Sequence, residues 1–129
     1  MNVVAEGPGK PTAVLIRALE PLEGLERMRA HRGGVGHGAR LRDTFLCSGP
    51  ARLAQALQLD RALDGADLVK GRALFLERGP PVAAEQIIAA PRIGVAYAGE
   101  WAREPLRFYV AGNPHVSRTR PRQVIPSRR

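Results

Sequence analysis

LCSGPARLAQAL, residues 46–57, holds a helix start and an apolar face in one short run. Ser48 is a residue type that caps a helix through its hydroxyl. Pro50 suits the first turn, where its fixed φ is already helical and its missing N–H would have had no partner. Leu53, Ala54 and Leu57 lie one, then three positions apart, on one stripe, so the stretch predicts a core-facing helix. A helix start made of small residues also lets free amides approach an anion closely. Taken alone, a well-capped core helix is the simpler reading.

Toward the N-terminus, the turn-forming GPGKP of residues 7–11 precedes the apolar run AVLIRA of residues 13–18, which predicts a buried strand with Arg17 at its end. Pro21 precedes Leu22, Leu25 and Met28, whose spacing of three predicts a helix running to about His31. Gly33 and Gly34 are expected to stop it and open a loop to Gly38, with Arg32 at the mouth. Toward the C-terminus, residues 72–76 and 86–90 read as strands on either side of GPP at 79–81, and residues 106–110 as a last strand closed by GNP at 112–114. The fold class expected is α+β: a single mixed domain of short, mostly antiparallel strands with two or three helices.

At 129 residues and 44% hydrophobic, the chain supports one modest core. It has no apolar run long enough for a membrane span and no secretory leader pattern, so a cytoplasmic protein without a membrane partner is expected. Cys47 is the only cysteine, which excludes an internal disulfide and a multi-thiolate zinc site. His31, His37 and His115 lack the paired short spacings of zinc ligands, and loop or solvent roles are expected of them. There is no Gly-rich nucleotide loop followed by Lys and no Gly-x-Ser-x-Gly turn. The net charge is +8, but residues 117–129 carry five arginines and no acid, leaving +3 for the rest. That proline-containing stretch reads as a disordered basic tail behind a domain of residues 1–116. Eighteen of the twenty basic residues are Arg, a bias compatible with coding composition, so charge alone is weak evidence for DNA binding.

Six elements occur in order: ALEP at 18–21, LCSGP at 46–50, RIG at 92–94, GEW at 99–101, PLRFY at 105–109 and GNPHVS at 112–117. In this order and spacing the chain resembles the alkyladenine (3-methyladenine) DNA glycosylase family. The resemblance implies a monofunctional repair enzyme acting as a monomer on damaged double-stranded DNA, without metal or other cofactor. Such an enzyme flips an alkylated or deaminated purine out of the stack and hydrolyses its N-glycosidic bond with an activated water. The transition state is oxocarbenium-like, so a carboxylate near the sugar must orient that water and offset positive charge.

The family's general-base Glu precedes a strand containing Met-Asn, and Met1-Asn2 matches that pair. The general base, the aromatic and His walls of the base pocket and the wedging Tyr are therefore expected to lie outside residues 1–129, with this chain alone inactive. A noncatalytic DNA-binding remnant and an unstable fragment are the alternatives. Glu77 and Glu100 are poor substitutes, because the family uses the acid of the GEW element away from the general-base role. Among matching positions, the resemblance implies Asn2 in the base pocket, and Arg17 with the backbone carbonyl of Ile93 supporting the catalytic water. It implies DNA contacts at Arg32, Gly33, Gly34, Ser48, Gly49, Arg52 and Gly94. The Ile93 side chain, Trp101, Phe108 and Tyr109 are expected to pack in the core, and Cys47 to be a small packed residue.

Overall fold

The computed structural model describes residues 1–37 and 41–116. The expected basic tail and the last residues of the expected glycine loop lie outside them. Contacts divide the chain into two compact units, Met1–Glu77 and Arg78–Arg129. Both contain short antiparallel pairing alongside helical segments, and the class is α+β.

In the first unit, β1 (Asn2–Val4) pairs antiparallel with β2 (Ala13–Leu15), Val3 lying opposite Val14. Of the run 13–18 expected as a buried strand, only Ala13–Leu15 is strand and it is solvent-exposed, while Ile16 just beyond it packs against the helical cluster. The ribbon is only two strands wide, and too narrow a ribbon covers little of itself. Three helices follow: α1 (Leu25–His37), α2 (Asp43–Leu46) and α3 (Pro50–Ala56). They close over a cluster of Leu46, Cys47, Leu53 and Ala56, against which Leu25, Met28, Leu41, Leu57 and Leu59 pack. Burying this apolar surface is the main term holding the unit together. Arg29 on α1 ties the neighbouring elements: its Nε donates to the Leu41 carbonyl at 3.2 Å, and its Nη atoms pair with Glu26 and Asp43.

Two expectations about α1 are corrected. The helix starts at Leu25, so Leu22 lies ahead of it and is 81% exposed. It also runs through Gly33 and Gly34 to His37 instead of ending at them. A glycine in a helix interior costs only about 1 kcal/mol relative to Ala. The turn just before the glycines is anchored on α3, with His31 Nδ1 2.9 Å from the Ala56 carbonyl and Arg32 Nη1 donating to Gln55 Oε1 at 3.0 Å. Tertiary anchoring outweighs the local breaker.

Residues 72–76 form no strand. Asp67 Oδ1 accepts from the amides of Val69 and Lys70 at 2.8 and 3.0 Å, and the Leu76 amide donates to the Leu68 carbonyl at 2.8 Å. The segment therefore folds back on itself, using hydrogen bonds a strand partner would have needed. Gly71 sits inside this fold-back, where a Cβ would meet the Asp67 and Leu74 carbonyl oxygens at 2.3 and 2.5 Å.

In the second unit, β3 (Ile87–Ala90) pairs antiparallel with β4 (Arg107–Val110), Ile88 opposite Tyr109 and Ala89 opposite Phe108. A kinked 3-10 segment, Ala96–Ala102, connects them. Phe108 and Trp101 are 67% and 65% exposed, against the expectation of core packing. Val95 is the buried apolar residue of this unit among those described, and a two-stranded ribbon over so small a centre leaves the outer aromatic face open. Tyr109 is half-buried, with the Arg107 guanidinium 4.5 Å from its ring centroid.

Candidate nucleic-acid interface

Antiparallel pairing of β1 and β2 sets Asn2 opposite Leu15, and the Ile16 amide donates to the Met1 carbonyl at 3.0 Å. Asn2 and Arg17 consequently share one end of the ribbon, both exposed. One residue further on, Ala18 bridges Ser48, and the Leu19 amide donates to the Cys47 carbonyl at 3.3 Å. The backbone thus leads directly from the Asn2–Arg17 end to the junction of α2 and α3.

At that junction Ser48 is not the helix cap the sequence suggested. The N-cap position is Gly49, without a side-chain capping bond, and Pro50 opens the helix as expected. Gly49 takes φ +144°, a conformation L side chains rarely adopt. This places Ser48 one residue too early for capping. Its hydroxyl is buried and accepts from Arg52 Nη1 at 3.2 Å. Arg32 lies on the α1 face toward α3, held by Gln55, with its Nε buried and unpartnered among the described residues. Burial pushes the Cys47 thiol up from its ordinary value, and the Arg32 guanidinium opposes that shift in part. The fully buried Cys47, as expected, is a packed core residue.

Of the residues expected to contact DNA, the first unit therefore groups Ser48, Gly49 and Arg52, with Arg32 on the adjoining helix. Gly33 and Gly34 continue α1 from there, their amides belonging to a helical ladder rather than to an open loop. The sequence reading missed Arg42 and Phe45. Both stand at this junction, with the Arg42 and Arg52 guanidinium carbons 4.7 and 5.9 Å from the Phe45 ring centroid. The available signal was an Arg three residues before an aromatic, a spacing that brings side chains together on a helical turn.

Ile93 and Gly94 belong to the second unit. The Ile93 side chain is 46% exposed and not a core residue, correcting that part of its reading. Gly94 adopts φ +76°, a left-handed turn conformation that suits glycine. Just before them, Arg92 Nη2 donates to the Trp101 carbonyl at 3.2 Å and fixes the start of this turn. His115 is buried, its Nδ1 unpartnered among the described residues and its amide donating to Asn113 Oδ1 at 2.8 Å. Of the loop or solvent role expected of it, the loop placement holds, and the residue is buried there. His31 is likewise tied to α3 through Ala56. Since a carbonyl only accepts, His31 Nδ1 carries the proton in that bond. Among the described residues, no group of three or more His, Cys, Asp or Glu is arranged to hold a metal ion, and no helix is long and apolar enough to cross a membrane.

Residues 1–114 match the family model for methylpurine-DNA glycosylase (MPG). The chain belongs to the methylpurine-DNA glycosylase family. The human DNA-3-methyladenine glycosylase is 51% identical over 121 residues, covering 91% of this chain and 40% of the human protein. The mouse DNA-3-methyladenine glycosylase is 48% identical over 122 residues, 91% of this chain and 36% of its own length. A relative from Methanocella arvoryzae is 45% identical over 124 residues, 96% of this chain and 58% of its own length. The chain thus spans between about a third and three fifths of the length of these relatives. The family match runs through both units and takes in Asn2, Arg17, Arg32, Ser48, Gly49, Arg52, Ile93 and Gly94.

Proposed function

We propose that this chain serves a DNA repair glycosylase, an N-glycosyl hydrolase that removes alkylated or deaminated purines from double-stranded DNA after base flipping. The observation that carries the reading is the family match over residues 1–114, with half-identity to the human DNA-3-methyladenine glycosylase. Within it, residues 1–129 supply the scaffold and backbone grip. Arg32, Ser48, Gly49 and Arg52 contact phosphates, with Gly33, Gly34 and Gly94 allowing close approach. Such contacts fix register without reading sequence, which suits a damage scanner. Arg17 and the Ile93 carbonyl support the catalytic water, and Asn2 lines the base pocket. A guanidinium offers several donors in a planar fork, so Arg17 can hold a water by more than one hydrogen bond.

The general-base carboxylate is, in this proposal, not among residues 1–129, and no cofactor takes part. The chain by itself then binds duplex DNA weakly, as a monomer at the chromosome, and releases negligible base. A purely noncatalytic DNA-binding role shares the grip and differs only in lacking the acid elsewhere in the protein. The test uses purified residues 1–129 with a duplex containing one hypoxanthine, following binding by fluorescence anisotropy and base release by chromatography. Salt-sensitive binding without release is expected. Robust release would refute the placement of the general base outside this chain, and absence of binding would refute the grip.

A further inference from the structure

We infer that Arg42, Phe45 and Arg52 form a clip for neighbouring phosphates of one DNA strand, with Phe45 the positioning residue that aims both guanidinium groups. This inference rests on the DNA repair reading and extends its grip to two residues outside the expected contact set. Phe45 is exposed although the next residue, Leu46, is fully buried. Its ring therefore faces outward from the core, where the two arginines stack over it at 4.7 and 5.9 Å. A guanidinium stacked on a ring uses its face and leaves the N–H donors of its edge free, the geometry that bidentate phosphate binding needs.

Charge and hydrogen bonding around the ring support the same use. Among the described residues the Arg42 guanidinium makes no hydrogen bond or ion pair, its backbone carbonyl alone accepting from the Phe45 amide at 2.8 Å, whereas Arg29 is fully engaged by Leu41, Glu26 and Asp43. Asp43, the acid adjacent to Arg42, is held by Arg29 and is not turned to neutralise Arg42. Arg52 spends one Nη on Ser48 and keeps its other donors. Sharing one ring keeps the two guanidinium groups close enough for successive phosphates of a strand. Arg42 is also the N-cap of α2 but makes no side-chain capping bond, so its side chain can be changed without unmaking the helix start.

Each phosphate neutralised adds about 0.9 to the slope of log affinity against log salt. Arg42→Gln should lower that slope by about 0.9, so its affinity loss between 50 and 200 mM salt should be about 3.5-fold smaller than the wild type's. Arg42→Lys should keep the slope. Phe45→Leu should keep the slope but bind several-fold more weakly at low salt, because both cations remain and only their aim is lost. Thermal melting of each variant checks that the fold is retained, a readout a merely structural role would move. An unchanged slope in Arg42→Gln overturns the clip while the wild type's salt-sensitive binding still supports the wider reading. Phe45→Leu binding like wild type removes Phe45 from the inference. A wild-type chain that shows no salt-dependent duplex binding defeats the clip and the DNA reading together.

Discussion

Truncating Leu53 to Ala removes the centre of the helical cluster. Leu53 is 0% exposed and packs with Leu46, Cys47 and Ala56. Three buried carbons at about 0.8 kcal/mol each set a transfer cost of about 2.4 kcal/mol. Two of its buried neighbours, Cys47 and Ala56, are too small to reach into the space left behind, so a cavity cost adds to this and the total comes to about 3–4 kcal/mol. A domain's whole stability is about 5–15 kcal/mol and a small core lies near the lower end, so Leu53→Ala should abolish much of the folded population in mild denaturant. Urea titration followed by circular dichroism at 222 nm reads the change in midpoint, with Leu53→Met as the volume-conserving control at under about 1.5 kcal/mol. Because α1 and α3 meet over this cluster, Leu53→Ala should also weaken DNA binding under conditions where unfolding is appreciable. A loss of less than about 1 kcal/mol would refute the claim that these few side chains hold the three helices together.

Gly33→Ala should raise stability by about 0.5–1 kcal/mol, since Gly33 lies inside α1 and is exposed there. The same variant should weaken duplex binding if the backbone approaches phosphate at this point, and a gain in stability with unchanged affinity would remove Gly33 from the grip. Cys47 predicts a pH dependence: its folded value is raised above the ordinary 9.0, mainly by burial. The folded thiol then keeps its proton where the unfolded thiol ionises, so its contribution is complete below about pH 9.0 and is lost as pH rises through the raised folded value. Denaturation at pH 8 and pH 10.5 should show a larger fall in stability for the wild type than for Cys47→Ala, and equal falls would contradict the assignment.

The stretch from Leu46 to Leu57 was legible because helix signals there are local. Pro50 and the Leu53 spacing lie within one element and need no partner. The 86–90 and 106–110 strands were legible for a similar reason, as apolar and β-branched runs bounded by turn residues. The run at 72–76 carried the same signal and failed, because a strand exists only with a partner and Asp67 instead gathers the preceding amides into a fold-back. The exposure of Trp101 and Phe108 was not legible either. Composition marks an aromatic as able to be buried, but burial depends on what lies against it. In the candidate site, the family resemblance pointed to Arg32, Ser48 and Arg52, but the Arg42–Phe45–Arg52 stack required a side-chain arrangement across α2 and α3.

By itself the sequence determined the family and the α+β class, because motif order and local periodicity are properties of the chain alone. Tertiary structure decided that α1 passes through its glycines, that Ser48 serves Arg52 rather than a helix end, and that Asn2 and Arg17 share one end of a ribbon. Those outcomes depend on contacts between segments distant along the chain, whose free energies of about 1 kcal/mol each exceed or redirect local preferences of the same size.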